Sequence, residues 1–201
     1  MRIQSLFLLL VSLFSGAVSA QWQTVGRADY NWGPFLVYTI SVESENGDYQ
    51  AHQVPLMISF DYAKPVEGKN FAITIMKEMQ NMGVDKEKNA QWVKELQQTL
   101  PDFVPNDRLS YIALADRGYF ILNNQVLSHE FEPDFNQAFI SIWLSGKSSF
   151  EGIQKQLSGK EKGPATETRP KAPEAIPFNE EEANPQLPPH YPLENPARVT
   201  A

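Results

Sequence analysis

The spacing of apolar residues changes several times along the chain, and each change marks an element. "FLVYTISV", residues 35 to 42, is rich in β-branched and aromatic residues, and "VPLMISFDY", residues 54 to 62, sets Leu56, Ile58 and Phe60 at alternate positions. Both predict strands. The "ENGDY" between them holds Asn46-Gly47, a hairpin signal. From residue 70 the period lengthens: Phe71, Ile75, Met79 and Met82 recur at helical spacing until Gly83. Asp85 is placed to cap a second helix whose Trp92, Leu96 and Leu100 share a stripe before Pro101 ends it. Alternation returns in "RLSYIALADRGYFILNNQVLSHE", with turns at Asp116 to Gly118 and at Asn123-Asn124. It predicts an antiparallel meander of two longer strands and one short one.

A second pair of helices closes the readable part. In "EPDFNQAFISIWLSG", Pro133 suits a first helical turn, and Glu132 and Asp134 favour its positive end. Phe135, Ala138, Phe139, Ile142 and Trp143 form one apolar face, and Gly146 stops the run. A short helix follows, opened by the capping-box pattern from Ser148 to Glu151 and ended by Gly159. Strands, two helices, strands and two helices predict an α+β layer: one curved antiparallel sheet with helices on a single face.

The two ends fall outside this pattern. Residues 1–20 begin with Arg2, pass through an apolar run from Leu6 to Phe14 and end in small residues before Gln21. That is the layout of a secretory signal peptide, and the run is too short for a permanent membrane span. Residues 160–201 are rich in Pro, Glu and Ala without periodicity, which predicts a disordered tail. "PQLPPHYP" within it is a candidate docking peptide for a protein partner. Residues 21–159 then make one domain.

Composition narrows the setting. The 201-residue chain has no cysteine and a net charge of −7. Disulfides and thiolate metal sites are excluded, and the acidic balance argues against nucleic acid or anionic lipid surfaces as partners. An exported chain without cysteine points to a bacterial periplasm.

Candidate chemistry is sparse. The sequence has no phosphate loop, no nucleophile elbow and no metal-ligand spacing, so no cofactor or metal is expected. His129, beside Glu130 and Glu132, lacks the positioned partner that general-base chemistry needs. Arg27 and Tyr38 fall on neighbouring strands, where a forked guanidinium and a phenol together suit a carboxylate. The plainer reading is a surface arginine and a half-buried tyrosine.

The blocks "VGRADYNWGPFLVYTISV", "LPDFVPNDRLSYIAL", "GYFILNNQVLS" and "EPDFNQAFISIWLSG" resemble the bacterial chalcone isomerase-like proteins over residues 22–158. The resemblance implies an open-faced β-sandwich with a cleft between sheet and helices. It places the family's substrate-holding positions at Arg27, Tyr38, Glu67, Asn70, Thr74, Ile142 and Trp143. The tyrosine, lysine and asparagine of the plant enzymes are replaced here by Glu67, Asn70 and Thr74, and Trp143 narrows any flavonoid pocket, so chalcone cyclisation is not expected. Fatty-acid-binding relatives of the fold hold a carboxylate with an arginine and a tyrosine, which Arg27 and Tyr38 would imitate.

Three expectations result. The first is an exported, non-catalytic binding or accessory protein for a fatty acid or other amphipathic molecule. The second is an isomerase or lyase using Glu67 or His129 as base and Arg27 as electrostatic partner. The third is a protein-contact domain without a ligand, acting through its sheet edge or its proline-rich tail.

Overall fold

A computed structural model describes residues 22–164. The signal peptide expected over residues 1–20 lies outside the described residues, as do residues 165–201 of the tail expected from residue 160; Lys160 and Glu161 are described, both donating their amides to the Lys155 carbonyl.

Six strands form one antiparallel sheet in sequence order: β1 (Gln23–Trp32), β2 (Phe35–Ser44), β3 (Leu56–Tyr62), β4 (Arg108–Ala113), β5 (Gly118–Leu122) and β6 (Gln125–Phe131). Helices α1 (Gly68–Asn81) and α2 (Lys86–Thr99) are inserted between β3 and β4, while α3 (Pro133–Leu144) and α4 (Glu151–Leu157) follow β6. The α+β layer expected from the pattern is therefore the observed architecture. The three strands after α2 are nearly equal in length, rather than two long and one short.

Alternation along each strand divides the sheet into two faces. Ala28, Ile40, Phe60 and Leu109 stand in one cross-strand row, and Val42, Ile58, Tyr111 and Phe120 in another. All of these are fully buried or nearly so, and the helices pack on them. Phe139 and Trp143 of α3 meet the Phe60 ring at 6.4 and 5.0 Å, and Phe71 of α1 meets it at 5.4 Å. Such edge and offset contacts add to the area term that drives burial. Trp92 of α2 reaches this layer indirectly, packing edge-on against Phe135.

Two local expectations are corrected. Asn46-Gly47 does not form a tight hairpin: Ser44 pairs with Leu56, so a long loop separates β2 from β3. Asn46 Oδ1 accepts from Ser44 Oγ at 3.0 Å and from the Asp48 amide at 3.2 Å, a side-chain turn within that loop. Pro55, lacking an N–H for the ladder, stays outside β3. The capping box at α4 is also absent. Ser148 Oγ accepts from the Phe150 amide at 3.1 Å and donates to the Ile142 carbonyl, so it ties the loop to α3. The cap expected at Asp85 is present, its carboxylate accepting from the Glu87 and Lys88 amides at 3.0 and 3.1 Å.

Candidate functional site

The face of the sheet turned away from the helices carries an ordered polar network. Parity along the strands puts Arg27, Ser41, Ser59 and Ser110 in one cross-strand row, with Asp29, Thr39, Asp61 and Arg108 in another. Arg108 lies across the face: Nη1 donates to both oxygens of Asp61 at 3.3 and 3.2 Å, and Nη2 donates to Glu43 Oε1 at 2.9 Å. Glu43, only 8% exposed, also accepts from Ser41 Oγ and Ser59 Oγ, both at 3.2 Å. Arg27 Nη2 stands 3.9 Å from Asp61, while its Nε is buried without a hydrogen-bond partner among the described residues. Charges this far out of water persist because each carboxylate oxygen has a donor. Met57 and Tyr119, flanking Ile112 in the next row, give the network an apolar border.

A second polar cluster lies inside, between the helices and β1–β2. Glu78 of α1 is fully buried, accepting from the Ser149 amide at 2.9 Å and from Ser149 Oγ at 2.6 Å. Tyr30 and Tyr38 stack with ring centroids 4.8 Å apart, and Phe150 packs between Tyr30 and Trp143 at 5.5 and 4.5 Å. Burial, with a smaller contribution from the Glu78 charge, pushes the Tyr30 hydroxyl up to about 12. Burial, then its neighbours Tyr30 and Tyr62, then Glu78, raise Tyr38 well above the phenol range. Both remain neutral donors near neutral pH. Trp143 Nε1 is buried without a hydrogen-bond partner among the described residues.

A comparison with protein-family models finds no match. A protein of Haemophilus influenzae, described as uncharacterized, is 52% identical over 197 residues, covering 97% of each chain. The two chains belong to one family.

Against this geometry the residues expected from the sequence separate into groups. Arg27 and Tyr38 are not brought together. Arg27 pairs in register with Ser41, whereas Tyr38, three positions away on β2, pairs with Tyr30, so the two side chains leave opposite faces of the sheet. The carboxylate clamp is thus corrected to a salt bridge with Asp61 on one side and an aromatic stack on the other. Ile142 and Trp143 are buried at 1% and 0%, filling the space where a ligand was expected. Glu67, Asn70 and Thr74 form a local column on α1: Glu67 accepts from Asn70 Nδ2 at 2.8 Å, and Thr74 Oγ1 donates to the Asn70 carbonyl at 3.1 Å. The sheet lies between this column and Arg27, which removes the pairing that a Glu67 base would have used. His129 Nε2 is 3.4 Å from Glu95 of α2, a contact on the helix side at the β6 edge of the sheet, the opposite edge from β1, which carries Arg27.

Glu78, Glu43, Asp61 and Arg108 were missed. A signal existed for Glu78, seven residues after Phe71 on the same helical stripe as Ile75, where a carboxylate must be buried. No such signal marks the others, because a polar residue at alternate strand positions reads as ordinary solvent-facing alternation. Among the described residues no helix is long and apolar enough to cross a membrane, and no group of three or more acidic or histidine side chains is arranged to hold a metal ion.

Proposed function

We propose that this is an exported, non-catalytic contact domain of the chalcone isomerase-like kind, whose working surface is the sheet face opposite the helices. The observation that carries this reading is the separation of Arg27 from Tyr38 across the sheet. It removes the anchor of a fatty-acid cleft, and Trp143, Phe60, Phe139 and Phe150 interlock where the chain of such a ligand would lie. The outer face offers what an interface needs: an Arg108 guanidinium held in place and 40% exposed, beside the half-buried Met57 and Tyr119. The element order of three strands, two helices, three strands and two helices supports the fold-family assignment, and the first 20 residues support export.

Two measurements test the reading. Protein purified from a periplasm and extracted with organic solvent should release no stoichiometric lipid by mass spectrometry; one equivalent of fatty acid would overturn it. In the native cell, a photo-crosslinking residue at Tyr119 on the outer face should form a discrete adduct with another protein, and one at Gln91 on the helix layer should not. Equal labelling from both positions, or none from Tyr119, would also overturn it.

A further inference from the structure

The long loop between β2 and β3 holds the chain's single Asn-Gly pair, Asn46-Gly47. Its structural use is plain: Gly47 takes a φ of +75°, which a side chain would strain. The surroundings of the Asn46 side chain go beyond that use. Three donors converge on its Oδ1: the Ser44 hydroxyl at 3.0 Å, the Asp48 amide at 3.2 Å and Gln53 Nε2 at 3.4 Å. Ser44 is fully buried, and Gln53 is set in orientation because its Oε1 accepts from the Gln50 amide at 3.0 Å. The Asp48 bond turns the Asn46 side chain forward along the chain, toward its own peptide link to Gly47. Among the described residues no hydrogen bond engages Asn46 Nδ2 or the Gly47 amide, and Asn46 is exposed to water.

We infer that Asn46 is a self-modification site, at which the folded chain deamidates without an enzyme to aspartate and isoaspartate. A solvent hydroxide removes the Gly47 amide proton, and the nitrogen, unshielded by any Cβ on its own residue, attacks Asn46 Cγ. Negative charge then develops on Oδ1, where the three donors already point, so they stabilise the tetrahedral intermediate as an oxyanion hole does. Nδ2 takes a proton from water and leaves as ammonia, which closes a succinimide ring. Water opens that ring at either carbonyl. Breaking the bond between Cγ and the Gly47 nitrogen leaves an aspartate in place of Asn46, whose carboxylate can keep the same donors. Breaking the bond between the backbone carbonyl carbon and that nitrogen leaves isoaspartate, which carries the main chain through the side chain, lengthens it by one carbon and distorts the turn from Ser44 to Asp48. Both products add a negative charge beside Glu45.

The test uses the purified full-length chain, incubated at mildly alkaline pH, digested and followed by chromatography with mass spectrometry. The peptide holding Asn46 should gain the mass of an NH2-to-OH exchange, as two separable products, several-fold sooner than peptides holding Asn31, Asn70, Asn106 or Asn123. Gln53→Met, at a half-buried loop position, should slow the reaction several-fold in the folded protein and leave its rate in concentrated urea unchanged. Ser44→Ala should act in the same direction. Another asparagine reacting first overturns the proposal. So does a folded Gln53→Met protein that deamidates as fast as the parent, which would reduce the effect to the bare Asn-Gly sequence, or faster, which would make the donors a restraint. If Ser44→Ala does not fold, as judged by circular dichroism, Gln53→Met decides alone.

Discussion

Asn136 offers the sharpest test of the packing between α3 and the sheet. It is 1% exposed, and its Nδ2 donates to the Leu114 carbonyl at 2.9 Å and the Arg117 carbonyl at 3.0 Å, clamping the β4–β5 turn. Its Oδ1 accepts from the Tyr111 hydroxyl, and Gly118 opposite has no side chain because a Cβ there would collide with both partners. Asn136→Asp keeps the shape but points a carboxylate oxygen at two carbonyls. Burial and those acceptors should raise its folded-state pKa by about three units above the unfolded value near 3.9, worth about 4 kcal/mol at neutral pH. The folded state then holds the proton more tightly than the unfolded state. Relative to the parent, stability falls by about 1.4 kcal/mol per pH unit between roughly pH 4 and pH 7. Below that window the protonated acid retains one donor, and the residual loss should be about 1 kcal/mol. Asn136→Leu loses the bonds without gaining a charge, so its deficit should not vary with pH. Urea denaturation of the three proteins from pH 4 to pH 8 reads these differences. An Asn136→Asp curve parallel to the parent's would refute the assignment of Nδ2 to the two carbonyls.

Other perturbations address the two polar clusters. Glu78→Ala should cost about 2 kcal/mol, since it leaves the half-buried Ser149 amide and hydroxyl without their acceptor; a double-mutant cycle with Ser149→Ala in chemical denaturation should show coupling, and strict additivity would contradict the contact. Alkaline titration should destabilise the fold from pH 10 upward, because the unfolded chain ionises its tyrosines while folded Tyr30 holds its proton to about 12. Tyr30→Phe should make that decline shallower in melts monitored with phenolate absorbance, and an unchanged slope would place Tyr30 in solvent. Arg108→Ala should cost about 1–3 kcal/mol by stranding Glu43 with only hydroxyl donors, an effect that Arg108→Lys only partly restores in thermal melts. Equal stability of Arg108→Ala and the parent would mean the network is slack.

Most of the layer was legible because its helices carry unambiguous stripes: Phe71, Ile75 and Met79, then Trp92 and Leu96, then Phe135, Phe139, Ile142 and Trp143 all face inward. The candidate site was not. Whether Arg27 and Tyr38 share a face depends on the register set where β1 turns into β2, and β1 has irregularities at Thr24/Gly26 and Tyr30/Asn31. A shift of one residue reverses a face, and single-sequence alternation cannot fix that parity. The Ser148 pattern failed for another reason: the buried hydroxyl donates to the Ile142 carbonyl and accepts from the Phe150 amide, which ties it to the end of α3 rather than to the first turn of α4. Arg108 and Asp61 are partners only through the β3–β4 pairing, which joins residues separated by two whole helices.

That same pairing shapes the kinetics of folding. Because the strands lie in sequence order, β1 with β2, β4 with β5 and β5 with β6 are each linked by short turns, and each can form on its own with little loop to close. Only the seam between Phe60 and Leu109 requires the chain to fold α1 and α2 back on themselves first. Closing this longest of the strand connections costs the most chain entropy. The transition state should therefore be sought at this seam, where two locally built halves of the sheet meet beneath the helix pair that joins them.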